Sequence, residues 1–181
     1  MAATATLWAT GTPSTASSGS DSWSNPARAA GANDNSRATY ASATNGEAGT
    51  ITCTGYGADT AMGSEIPASV DSVNAIVYYY VTGATTRWSS VTAQLTDGGT
   101  PLGSSTAMTL ATSTSNSTVV PFTGVAAWSN MAGLGVQLVA TKYLTTASTV
   151  NVDAVGVVVN WTASAVTGHT HSGGSYLLTA G

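Results

Sequence analysis

From about residue 39 onward, apolar and polar positions alternate with a period of two. Thr50-Ile51-Thr52-Cys53-Thr54 is one such stretch. Val91, Ala93 and Leu95 alternate with Thr92, Gln94 and Thr96, and Asp97-Gly98-Gly99 then supplies a turn. Leu134, Val136, Leu138 and Ala140 alternate with Gly135, Gln137, Val139 and Thr141. In an extended chain successive side chains point to opposite faces, so this rhythm predicts strands with one buried face.

Two longer runs carry apolar groups on both faces. Over 73–82, Val73, Ala75, Val77, Tyr79 and Val81 fall on one side, and Ile76, Tyr78 and Tyr80 on the other. Over 150–161, Val155, Val157, Val159 and Trp161 share one side, with Val152, Ala154 and Val158 opposite. Such strands sit centrally or are covered by another chain. Weaker runs at 39–43, 104–110 and 117–122 bring the total to about eight strands. The Gly, Ser and Thr clusters between them fit an all-β sandwich or barrel. The Ala-rich stretch 27–32 contains Gly31 and is followed by Asn33 and Asp34, which favour turns, so no helix is predicted. The organisation expected is an N-terminal arm over 1–22, a β-sandwich domain over 23–162 and a C-terminal tail over 163–181. The arm has only Leu7 and Trp8 as large apolar groups, and these two are its candidate anchors on a partner.

Composition narrows the function. Only 7% of the 181 residues are charged, against roughly 25% in an ordinary domain. The surface is therefore built from Ser, Thr, Ala and Gly. Four dispersed cations (Arg28, Arg37, Arg87, Lys142) cannot form the basic stripe that nucleic acid requires. No apolar run approaches the roughly 18 residues of a spanning helix, so neither nucleic acid nor membrane is an expected partner. Cys53 is the single cysteine, so an internal disulfide is excluded. The first residues show no basic-then-apolar secretory pattern.

Catalytic signatures are sparse. Of the eight acids, Asp34, Glu47 and Asp97 stand beside Gly or Asn, where turn chemistry accounts for them, and the acids form no recognisable catalytic pair. There is no G-x-S-x-G elbow, P-loop or dinucleotide fingerprint, and the expectation is a protein without enzyme activity. Trp23, Trp88, Trp128 and Trp161 fall at strand ends, where they are expected to cap the core. Tyr78-Tyr79-Tyr80 must point to both faces, which makes Tyr78 and Tyr80 candidates to meet a partner. In Gly168-His169-Thr170-His171 the two histidines project to one side if the segment is extended. One chain cannot complete a metal shell with them. Three chains about a threefold axis would offer six imidazole nitrogens, a set suited to an octahedral transition-metal ion.

Several motifs, in order, resemble a β-sandwich domain of tailed-phage structural proteins. They are Trp23-Ser24-Asn25-Pro26-Ala27, Asp34-Asn35 with Thr39-Tyr40-Ala41, Ile66-Pro67-Ala68 before the run 70–81, Leu134-Gly135-Val136-Gln137-Leu138, and Val152-Asp153-Ala154-Val155 through Trp161. The similarity spans about residues 23–161. Asn74-Ala75 departs from it, standing where Gly-Ile is usual. The Gly-His-x-His element is similar to those of phage fibre proteins, in which trimers hold metal on their axis. The resemblance implies a jelly-roll-like antiparallel sandwich located in the virion. It implies a capsid decoration (cement) protein, a homotrimer bound to the major capsid protein or another virion protein. A tail or head-fibre attachment protein is the near alternative, and a carbohydrate-binding adhesin module is the alternative from another class.

Overall fold

Every alternating stretch becomes a strand in the computed structural model, which describes residues 2–63, 66–114 and 116–164. Among these residues the strands are β1 (Ala2–Trp8), β2 (Ser14–Ser17), β3 (Trp23–Ser24), β4 (Ala38–Ser42), β5 (Ala48–Thr54), β6 (Ser69–Thr82), β7 (Trp88–Asp97), β8 (Thr100–Ala107), β9 (Ser117–Thr123), β10 (Leu134–Lys142) and β11 (Ser148–Thr162). Helix is confined to single turns such as Pro26–Ala29 and Ala58–Ala61.

The strands form two antiparallel sheets. One runs β3-β4-β11-β6-β9, with β1 added alongside β11, and the other runs β2-β5-β10-β7-β8. Taking only β4 to β11, the orders are β4-β11-β6-β9 and β5-β10-β7-β8. Consecutive strands alternate between the sheets except at the β7–β8 hairpin, and these interleaved orders are those of the jelly roll, so the fold is an all-β sandwich with the eight-stranded core that the periodicity suggests. The β7–β8 hairpin turns through Gly98 and Gly99, both at positive φ (55° and 89°), as a tight two-residue turn of the right twist requires. The core lies between the sheets. Val73, Val77 and Val81 of β6 and Val157 and Val159 of β11 face Ile51, Leu95, Val136 and Leu138 of the other sheet. Trp23, Trp88 and Trp161 are buried as core caps, whereas Trp128 is only half-buried.

Two expectations need correction. Residues 1–22 do not form a separate arm. Ala2–Trp8 pairs over its whole length with the C-terminal half of β11, and Ser14–Ser17 pairs with β5, so the segment spans both sheets. The backbone hydrogen bonds of β11, left open beyond its contact with β4, account for this: β4 covers Ser148–Val152, and β1 covers Gly156–Thr162. The face assignment of β11 also changes. The register slips between Val152 and Ala154, leaving Asp153 as the extra residue of a bulge. Val150 and Val152 therefore join Val155, Val157 and Val159 in the core, so Val152 changes side while Ala154 stays on the outer face as expected. His169 and His171 lie outside the described residues.

One buried cation holds the loop between β10 and β11. Lys142 is 1% exposed, and its Nζ donates to the carbonyls of Arg87 (3.1 Å) and Thr146 (2.8 Å) and to Ser148 Oγ (3.5 Å). It also stands 5.0 Å from the centre of the Trp88 ring. All its partners are neutral. Burial, and secondarily the charge of Arg87, lower the lysine pKa. Lys142→Ala leaves the Arg87 and Thr146 carbonyls without this donor and opens a cavity, and is expected to cost about 2–4 kcal/mol. Urea unfolding should show the midpoint fall, and an unchanged midpoint would contradict this role.

Candidate functional site

The outer face of the first sheet gathers aromatic side chains. Within β1, Leu7 and Trp8 point to opposite faces because they are consecutive in a strand. Leu7 pairs with Val157 and packs against the core, so it is not available to a partner, contrary to its expected role as an anchor. Trp8 turns outward opposite Gly156. A Cβ built on Gly156 would lie 2.7 Å from Trp8 Cε3 and 2.8 Å from Cζ3. The six-membered ring of the indole thus occupies the space that any side chain at 156 would need.

From this position Trp8 reaches across β11 to Tyr78, with ring centroids 6.0 Å apart and planes tilted by 47°. Tyr80 follows Tyr78 on the same face, two residues on and so roughly 7 Å along β6. Below them Ala154 is fully buried, yet it stands apart from the core cluster. The outer layer of rings therefore covers the sheet. The rim adds hydrogen-bonding groups. Arg37, just before β4, places its guanidinium carbon 5.2 Å from the centre of the Tyr80 ring. Asn151 Nδ2 donates to the Tyr80 carbonyl at 3.4 Å, and Asn160 Nδ2 donates to Ser72 Oγ at 2.9 Å. On the edge strand β9, Val119 sits opposite Ile76 and is 58% exposed. The result is a shallow, tilted aromatic cradle with amides and one cation beside it.

The carboxylates serve the loops. Buried Glu47 accepts the Asp21 N–H at 2.7 Å and hydroxyls from Ser17 and Ser42. Asp153 accepts the Asp34 N–H at 3.2 Å, and Asp97 accepts from Asn130 at 2.9 Å. Among the described residues, no three His, Cys, Asp or Glu side chains stand close enough to hold a metal ion.

The structure brings three of the four partner candidates together: Trp8, Tyr78 and Tyr80. Periodicity alone did not bring in Arg37 or Gly156. The signal for Gly156 is a lone glycine within a valine-rich strand, which marks close approach by another group. Nothing local marks Arg37, because its stacking depends on the pairing of β4 with β11 beside β6.

No family model matches the chain, and no curated protein matches it. Among solved structures it is similar to an arabinose-bound α-L-arabinofuranosidase, with 13% identity and a TM-score of 0.49. The similarity covers 86% of this chain and 26% of that one, so the chain spans about a quarter of that enzyme's length. It is also similar to a carbohydrate-binding module in complex with β-1,4-galactotriose, with 7% identity and a TM-score of 0.38, covering 85% of this chain and 86% of the other.

Proposed function

We propose that the protein is a carbohydrate-binding module of the adhesin type, and that it takes a glycan chain on the outer face of the β4-β11-β6-β9 sheet. The observation that carries this reading is the convergence of Trp8, Tyr78 and Tyr80, each half-buried, on the outer face of one sheet. A sugar ring presents C–H groups on its faces and hydroxyls around its rim. Aromatic rings match the former, and flanking amides and a guanidinium match the latter. The 47° tilt between Trp8 and Tyr78 makes a cradle, which suits a single twisted glycan strand better than a flat crystalline surface. A glycan array probed with the purified chain should show saturable binding to a restricted set of oligosaccharides. Silence across the array would remove the reading.

A second reading, a phage virion structural protein that attaches outside the particle as a trimer, rests on the ordered motif resemblance and on exposed apolar groups. Val119 is 58% exposed and Ile66 is 65% exposed, both suited to protein contact. This reading expects saturable binding to bare capsids, three chains per particle by light scattering, and no glycan recognition.

A further inference from the structure

The cradle carries a cation that the described residues leave without a counter-ion. The Arg37 guanidinium carbon lies over the Tyr80 ring, 5.2 Å from its centre, and among the described residues its side chain makes one hydrogen bond, from Nη2 to Asn35 Oδ1 at a long 3.4 Å. Asn35 itself sits in left-handed backbone, at φ 67°. The two nearest acids in sequence and register are engaged elsewhere. Asp34 Oδ1 accepts the Ser36 N–H at 2.7 Å, and Asp153 Oδ1 accepts the Asp34 N–H. Among the described residues no carboxylate forms a hydrogen bond with Arg37, and its Nε is covered without a partner. The other cations have different settings: Lys142 is interior, Arg87 donates to the Ala147 carbonyl at 2.9 Å, and Arg28 sits on the Pro26–Ala29 turn.

A guanidinium held over an aromatic ring presents its N–H groups as a planar fork, the geometry that carboxylate and sulfate oxygens accept. We infer that the aromatic cradle selects an anionic sugar, a residue bearing a carboxylate or a sulfate ester that meets Arg37 while a neighbouring ring stacks on Tyr78 and Trp8. This inference rests on the carbohydrate-binding reading and narrows it. Net charge makes it a sharp claim. The chain carries −4 overall, so its general field repels polyanions, and any preference for them must arise locally.

The test is calorimetric titration of the full chain with three oligosaccharides of equal size: an oligogalacturonate, its carboxyl-reduced neutral counterpart, and a sulfated galactan fragment. At low salt, at least one anionic sugar should bind roughly tenfold or more tightly than the neutral one, with the advantage fading as salt rises. Which anionic sugar gains identifies carboxylate or sulfate as the group recognised. Arg37→Gln should erase the anionic advantage, so that charged and neutral sugars bind this variant alike, while an unchanged far-ultraviolet circular dichroism spectrum shows the sandwich intact. Arg37→Lys should retain part of the advantage, as a point charge without the planar fork. Equal affinity for charged and neutral sugars, or an anionic affinity indifferent to Arg37→Gln, overturns the inference and leaves carbohydrate binding standing. Failure of all three, together with a silent array, removes both. The salt dependence of the unaltered chain decides the matter without reference to any variant.

Discussion

Trp8→Ala should weaken glycan binding by roughly 30-fold or more, while the sandwich stays folded. Truncating a central aromatic of a binding surface costs about 2 kcal/mol or above, and each 1.4 kcal/mol is tenfold. Trp8 is placed for this role because its indole spans from β1 across Gly156 to Tyr78, so its loss opens the middle of the cradle. Gly156→Ala provides a second route to the same outcome. Gly156 does not lie at positive φ, so alanine there strains no backbone. The added methyl, however, would sit 2.7 Å from the indole and 3.0 Å from the Leu7 carbonyl, and the ring must lift. The expected result is a loss of affinity with Trp8 still present, accompanied by a change in tryptophan fluorescence. Undiminished binding in both variants would move the site away from this face.

The second large effect concerns alkaline pH. Burial pushes the Cys53 thiol from its ordinary 9.0 up to about 12, and raises the phenols of Tyr79, to about 12, and of Tyr40 and Tyr56. The Tyr79 hydroxyl also donates to the Thr109 carbonyl, which favours its neutral form. For acids of this kind the neutral form belongs to the folded state. Above pH 9 the unfolded chain sheds protons that the folded chain keeps, so stability is complete below the ordinary values and falls as pH climbs through them. Cys53 alone, moved from 9.0 to about 12, corresponds to about 4 kcal/mol over that interval. Lys142 works in the opposite direction, since its lowered pKa makes the unfolded state the better proton acceptor up to its ordinary 10.5. It is a single group set against four. Urea midpoints measured from pH 8 to 11 should therefore decline, and Cys53→Ala should flatten the decline. Below pH 9 the folded thiol should resist disulfide reagents and react only on unfolding. A midpoint level across the range would show that these groups are not sequestered as described.

The layered β architecture was legible because alternation is a local property. Thr50-Ile51-Thr52-Cys53-Thr54 declares its inner face without reference to any neighbour, and so do the stretches around Val91 and Leu134. The aromatic candidates were legible for the same reason: in Tyr78-Tyr79-Tyr80 the outer two must share a face. What escaped was whatever depends on pairing. An Ala-Thr stretch with one leucine and one tryptophan looks too poor to fold, yet β1 needs only the open edge of β11. Leu7 and Trp8 seemed a joint anchor, but a strand separates them to opposite faces. The valine faces of β11 were misassigned because one inserted residue, invisible to a period count, changes the parity halfway along.

That inserted residue, Asp153, has a consequence of its own. The strand that contains it serves two different neighbours in succession along one edge, β4 first and β1 afterwards. Were β11 paired regularly through Asp153, Val150 and Val152 would be turned to the outer face for as long as Val155–Val159 remained inside, since a one-residue slip inverts everything on one side of it. The kink therefore works as a phase corrector that lets a 15-residue strand stay oily underneath from end to end. It also makes this position the one in β11 whose deletion the strand would best absorb, since Val152, Ala154 and Val155 would still fall inside, outside and inside, whereas a deletion elsewhere in the strand would invert one side of it.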